Sequence, residues 1–150
     1  HKEYRYLTGP VSISNSFSNF SKSLIVSFIH SHYYDENMAQ FVKPRKRFVI
    51  PQKHMPEIDC LVEKSTNDIE RIDSIVYELE HDKRIPVLLK KYLSLNAKII
   101  GFNIDPLFNN CLDGLIVLDL LNVPQQIVES FSKDLQDESS KLSKISLLRE

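Results

Sequence analysis

Ala97-Lys-Ile-Ile-Gly-Phe-Asn-Ile104 and Gly114-Leu-Ile-Val-Leu-Asp-Leu-Leu121 are the two stretches that decide the fold. Both have the length of a strand and are rich in residues that favour β-structure. Between them, Asp105-Pro106 and Asp113-Gly114 are typical of turns in which a carboxylate caps its own backbone. The sequence therefore predicts an antiparallel hairpin with a long loop, in which successive side chains from Ile99 to Phe102 alternate across the sheet.

Two helices are predicted before this hairpin. The first is indicated by apolar residues at helical spacing, and Ser65 and Asp68 have capping-box spacing at its start. Pro86 is typical of the first position of the second helix, which Asn96 can end in the left-handed conformation. The apolar positions of the two helices are Ile69, Ile72, Ile75, Val76 and Leu79, then Leu88, Leu89, Tyr92 and Leu93.

The first third of the chain predicts a strand followed by helices. Residues 4–14 alternate as a strand does, with Gly9-Pro10 marking a bulge or an edge position. A helix is expected from about Ser18, and Asp35 can cap a short one through Phe41. Residues 43–58 contain three prolines and are interpreted as a connection across the surface. The stripe of the long helix is Phe20, Leu24, Ile25, Phe28 and Ile29.

The carboxyl end predicts one more helix, which Pro124 opens and which carries Ile127, Val128, Phe131 and Leu135. Residues 137–150 are interpreted as a polar tail. A strand, helices, a hairpin and a helix in this order are typical of the α+β (mixed α/β) class. We assign residues 1–136 to a single domain, which suits the chain length of 150 residues.

Composition excludes several classes of protein. The 19 basic and 20 acidic residues give a net charge of −1, which argues against a nucleic-acid binder driven by bulk charge. No apolar run approaches the roughly 20 residues that cross a bilayer. Cys60 and Cys111 lack CxxC spacing, which favours reduced thiols. His30 and His32 do not have the i, i+4 spacing of two metal ligands on one helical face, so no metal is predicted.

A basic cluster, Lys43-Pro-Arg45-Lys46-Arg47, is the first candidate for binding. Clustered Arg and Lys side chains form charge-assisted hydrogen bonds with phosphate oxygens, so the cluster suits a pyrophosphate, the acidic face of a carrier protein or a lipid headgroup. The alternative is a solvated run of charges that pairs with Asp35 and Glu36.

The segment 103–114 is the second candidate, because it holds more hydrogen-bonding side chains than a plain hairpin needs. They are Asn103, Asp105, Asn109, Asn110 and Asp113, with Phe108 beside them. The alternative is that Asp105 and Asp113 only cap turns.

Three blocks of sequence resemble the bacterial hemolysin-like acyltransferases. They are Tyr4-Arg-Tyr-Leu-Thr-Gly-Pro-Val-Ser-Ile-Ser-Asn15, Phe41-Val-Lys-Pro-Arg45, and Ile85-Pro-Val-Leu-Leu-Lys-Lys-Tyr-Leu93 continuing through Gly101-Phe-Asn-Ile-Asp-Pro-Leu-Phe108 to Leu112-Asp-Gly-Leu-Ile-Val-Leu-Asp-Leu120. This family is similar to the GNAT superfamily and includes the N-acyltransferases that make ornithine and glycine lipids. The resemblance covers about residues 4–120.

The resemblance implies transfer of a long-chain acyl group from a thioester to an amine in membrane-lipid synthesis. The donor would be acyl-ACP or acyl-CoA. The first strand would admit the acyl-pantetheine arm, with Ser12, Ser14 and Asn15 contributing to substrate binding. The hairpin would wall the acceptor site. There Asp105 and Asp113 would be catalytic, Asn103 and Phe108 would bind substrate, and Arg45 and Arg47 would hold the carrier or another anion.

The resemblance also implies that residues 1–136 are the carboxyl-terminal half of a GNAT-like domain. A partial sheet of this kind would expose an edge strand, which a second copy could cover as a homodimer. A cytoplasmic protein with peripheral contact to the inner membrane, and without nucleic acid, is expected. The alternative is a non-catalytic interaction or regulatory domain.

Overall fold

The computed structural model describes residues 4–130 and 133. It contains strand β1 (Tyr6–Ile13), helices α1 (Asn19–His32), α2 (Glu36–Ala39), α3 (Met55–Ser65), α4 (Ile69–Glu80) and α5 (Val87–Ser94), and strands β2 (Lys98–Asp105) and β3 (Cys111–Asp119). Residues 125–130 are helical. The predicted mixed α+β class is confirmed. Phe131, Leu135 and the polar tail lie outside the described residues.

The three strands form one antiparallel sheet in the order β1-β3-β2. The predicted hairpin is therefore confirmed, with Asn103 opposite Asp113 and Ile104 opposite Leu112. A bulge between Ile99 and Gly101 breaks the expected alternation, and both Ile99 and Ile100 are buried. Among the described residues β1 pairs only with β3, so Pro10 lies on an edge strand, where its missing N–H breaks no ladder hydrogen bond.

The predicted long loop of the hairpin is wrong. Strand β2 continues to Asp105 and β3 begins at Cys111, so only a 3₁₀ turn and two asparagines with positive φ, Asn109 and Asn110, join them. Asp113-Gly114 consequently lies inside β3 and forms no turn. Gly114 faces the core, where a Cβ atom would lie 3.5 Å from side-chain atoms of Ile99 and Phe102.

The core lies between one face of the sheet and the helices. Helix α1 supplies its centre, since Leu24, Ile25, Phe28 and Ile29 are all fully buried. Ser18 caps this helix by accepting a hydrogen bond from the Ser21 N–H. Helices α3 and α4 contact α1 on the side where the core continues through Ile58, Val62, Ile72 and Val76.

Helix α3 falls partly within the region expected to be a connection. Pro56 lies in its first turn, where a missing N–H costs nothing, so this proline starts a helix and does not prevent one. Ser65 is the last residue of α3 and not the start of the next helix. Asp68 alone caps α4, by accepting from the N–H groups of Glu70 and Arg71.

Candidate functional site

A pocket of about 630 Å³ opens on the face of the sheet that points away from the main core. Its floor is formed mainly by non-core positions of the three strands, since alternate residues of a strand point to opposite faces, and the core residues Phe102 and Ile104 also contribute. Segment 42–46 lines the pocket beside the outer edge of β2. The pocket is lined by Pro10, Val42, Lys43, Pro44, Arg45, Lys46, Gly101, Phe102, Asn103, Ile104, Asp105, Pro106, Leu107, Asp113 and Leu115.

The basic segment, residues 43–47, is held against the outer edge of β2. The N–H of Ile104 donates to the Lys46 carbonyl at 2.8 Å, and the Lys46 N–H donates to Oδ1 of Asn103 at 2.8 Å. Arg47 forms an antiparallel bridge with Asn103. These backbone contacts fix the segment in place while leaving its charged side chains available.

In the described part of the chain, these cations do not pair with Asp35 or Glu36. Oδ1 of Asp35 accepts the Met38 N–H and caps α2, and Oε1 of Glu36 lies 3.6 Å from Nε2 of His30. Within residues 4–130, neither Lys43, Arg45, Lys46 nor Arg47 forms a salt bridge, and all four are exposed. The first three line the pocket, and Arg47 lies just outside it.

Asp113 brings a carboxylate to the pocket from the central strand. Its Oδ1 accepts a hydrogen bond from the Ser12 hydroxyl at 2.5 Å across the β1–β3 ladder. The Cys111 thiol donates to the same oxygen at 3.3 Å. Burial raises the pKa of Cys111, and Asp113 raises it further, so the thiol stays protonated and serves as a donor.

Asp105 and Asn103 line the same pocket from β2. Oδ1 of Asp105 accepts the Leu107 N–H at 2.9 Å, which caps the 3₁₀ turn as the turn interpretation expects. Asn103 makes two backbone contacts, since its Nδ2 also donates to the Ile104 carbonyl at 3.3 Å. Its side chain therefore holds the wall of the pocket in place.

Five of the predicted site residues, Arg47 among them, do not line the pocket. Ser14 contacts Ser16, and Oδ1 of Asn15 accepts from Nζ of Lys22 at 3.0 Å, both beyond the end of β1. Phe108 is 71% exposed at the tip of the hairpin. Ser12 is absent from the lining but reaches the pocket through Asp113.

Comparisons with protein-family models, with curated proteins and with solved structures find no match to this chain.

The sequence analysis missed the apolar part of the site. Val42, Pro44 and Leu115 line the pocket, and Gly101 leaves room in its floor, where an added Cβ would have only the Pro44 side chain within 4 Å, at 3.9 Å. The one local signal was the bulge-prone glycine in an otherwise bulky strand. Residues 4–130 and 133 hold no cluster of three or more His, Cys, Asp or Glu arranged for a metal ion.

The arrangement suits an amphipathic ligand. A volume of 630 Å³ falls in the range of small-molecule sites, which combine apolar walls with a few polar groups. The cations can bind phosphate or carboxylate oxygens, and Asp105 and Asp113 can bind an ammonium group or accept its proton. Cations and carboxylates therefore line one cavity.

Proposed function

We propose that this chain forms the substrate-binding part of an N-acyltransferase that moves a long-chain acyl group from a thioester to an amine. The observation that carries the proposal is the pocket itself, which gathers the basic segment, Asn103, Asp105 and Asp113 around apolar walls. The three sequence blocks that resemble hemolysin-like acyltransferases each contribute to its lining. Acyl carrier protein or coenzyme A would present the thioester.

In the proposed reaction the lone pair of the acceptor nitrogen attacks the thioester carbonyl carbon. The C–N bond forms, the C–S bond breaks, and the sulfur leaves as a thiolate. The ammonium first loses one proton to solvent, which frees the lone pair. The second proton, lost as the amide forms, passes to a carboxylate and then to the thiolate. We assign this transfer to Asp113, whose carboxyl group is held through Oδ1 by the Ser12 hydroxyl and the Cys111 thiol, which leaves Oδ2 for the substrate.

Asp105 has a different part in the proposal. Its Oδ1 already caps the turn at Leu107, so its charge binds the acceptor ammonium before the proton leaves. Binding the acceptor and the donor in one pocket would bring the nitrogen and the carbonyl carbon together, which lowers the entropic part of the barrier.

The test is acyl transfer by the full-length natural protein, measured with long-chain acyl thioesters and small amino acids. Asp113→Asn keeps the size of the side chain but removes the charge, and it should lower kcat by about 100-fold or more. Asp105→Asn should mainly raise KM for the amine. Near-normal turnover in both variants would contradict the proposal, as would a fall in melting temperature that accounts for the lost activity.

A second candidate is a binding module that uses the outer edge of β1. The Leu120 N–H donates to the Arg5 carbonyl, and in an antiparallel ladder this fixes Tyr6, Thr8 and Ser12 as the residues whose backbone points away from β3. Among the described residues no strand covers that edge. A module of this kind would bind an extended peptide and would have no affinity for acyl thioesters.

A further inference from the structure

Large apolar side chains are exposed beside the basic segment at the mouth of the pocket. Leu107 lines the pocket and is 88% exposed, and the next residue, Phe108, is 71% exposed. Phe41 precedes the pocket residue Val42 and is 85% exposed. Leaving such side chains in water is unfavourable, so their position next in sequence to residues that line the pocket indicates a surface that another phase or molecule covers.

The same opening concentrates positive charge. Lys43, Arg45 and Lys46 line it without a salt bridge in the described part of the chain, although the whole chain has a net charge of −1. Attraction to an anionic surface must therefore be local to this face. Basic side chains next to large apolar ones are characteristic of surfaces that lie in the headgroup region of a membrane.

We propose that the pocket mouth, defined as Phe41, residues 43–47, Leu107 and Phe108, docks on the surface of a bilayer that contains anionic phospholipids. The cations bind lipid phosphates, and the apolar side chains enter the boundary between headgroups and acyl chains. Leu107 and Phe108 are well placed for this because they form the short turn between two strands, so they can enter the bilayer without unfolding either strand.

A bilayer matches both features of the mouth. An acidic protein would match the cations, but it would also need apolar hollows placed opposite three separate protruding side chains. A lipid surface supplies phosphates and apolar chains at any lateral position. The helices among residues 4–130 and 133 do not include one that is long and apolar enough to cross a membrane.

The test is co-sedimentation of the 150-residue chain with vesicles of phosphatidylcholine alone or mixed with phosphatidylglycerol. We expect binding to the mixed vesicles only, weakening as salt is raised because screening shortens the reach of the charges. Lys43→Glu combined with Arg45→Glu should weaken binding by at least about 25-fold, since each cation near an anionic surface contributes about fivefold. Leu107→Ser combined with Phe108→Ser should weaken it even at low salt.

Matched controls change the same kinds of side chain elsewhere. Lys64→Glu with Arg71→Glu makes the same change of charge on α3 and α4, where both residues are exposed. Val87→Ser with Leu88→Ser removes two exposed apolar side chains from α5. Both controls should keep full vesicle binding, and melting temperatures identify any variant that is unfolded.

Three results would overturn the proposal. One is no binding to anionic vesicles by the unchanged chain. Another is equal loss of binding in the control variants. The third is binding to an acidic carrier protein that depends on Lys43 and Arg45, without any binding to vesicles. The acyl-transfer proposal can fail separately, because vesicle binding needs neither Asp105 nor Asp113.

Discussion

The Ser12 hydroxyl donates a hydrogen bond of 2.5 Å to Oδ1 of Asp113, joining the edge strand β1 to the carboxylate that faces the pocket. The two residues are opposite each other in the β1–β3 register, so the ladder itself sets the contact. Ser12 is thus a positioning residue, because it fixes which carboxylate oxygen remains for a ligand.

Ser12→Ala should lower kcat by roughly tenfold, the effect of losing one hydrogen bond to a charged group. KM should change little, because apolar walls and cations still bind the substrates. Ser12→Thr retains a hydroxyl and a β-forming side chain, so it should restore most of the turnover. Steady-state kinetics of the full-length natural protein and of both variants measures kcat and KM. Equal loss of activity in the Ala and Thr variants would show that the hydroxyl has no role.

Asn103 should control the order of the basic segment. Asn103→Ala removes the acceptor of the Lys46 N–H, so hydrogen exchange at Lys46 should become faster and the free energy of unfolding should fall by about 1 kcal/mol. Asn103→Asp keeps an acceptor oxygen and should preserve the slow exchange. If exchange at Lys46 is unchanged in Asn103→Ala, the hydrogen bond from the Ile104 N–H to the Lys46 carbonyl is enough to hold the basic segment in place.

Much of the fold follows from local pattern. The stripe of α1 and the β-forming runs of the hairpin predict their elements because each element buries one face. Helix α3 was missed because three nearby prolines resemble a break, although Ile58 and Val62 have helical spacing. Asp113-Gly114 was misjudged because the same dipeptide occurs in turns and, in this chain, inside a strand.

The site was predictable in its charged members but not in its shape. Asp105, Asp113 and Arg45 were selected by residue type, and they line one pocket. Segment 43–47 reaches them through the contact of its backbone with Asn103 and Ile104, more than 50 residues along the chain. Sequence separation of that size carries no local signal, so the apolar wall formed by Val42 and Pro44 could not be foreseen.

Asp73 should make stability depend on pH at the acidic end. Burial raises its pKa, but the N–H of Ile85 at 2.7 Å, the Arg84 guanidinium and the Lys90 ammonium together outweigh burial, and the net pKa is lowered. A lowered folded-state pKa gives stability that is present above the unfolded pKa of about 3.9 and is lost as pH falls through the folded value.

Asp73→Asn should therefore cost about 2 kcal/mol of unfolding free energy near pH 7 and much less in strong acid. Urea unfolding at a series of pH values measures the difference. Asp59→Asn is the control, since Asp59 is an exposed carboxylate on α3. A destabilisation by Asp73→Asn that is the same at every pH would contradict the assignment of the effect to charge.

Filling the pocket is the sharpest test of whether it binds an acyl thioester. Gly101→Leu places a side chain in the pocket floor, and Gly9→Leu places the same side chain on β1 outside this pocket, where an added Cβ meets no atom within 4 Å. Neither glycine has a positive φ, so backbone strain is not introduced. The measurement is calorimetric binding of a non-hydrolysable long-chain acyl thioester analogue to the 150-residue chain and both variants. We expect the unchanged chain and Gly9→Leu to bind the analogue, while Gly101→Leu keeps its melting temperature and loses binding by at least about tenfold. Equal binding by a folded Gly101→Leu variant, or no binding by the unchanged chain, would contradict the proposed function.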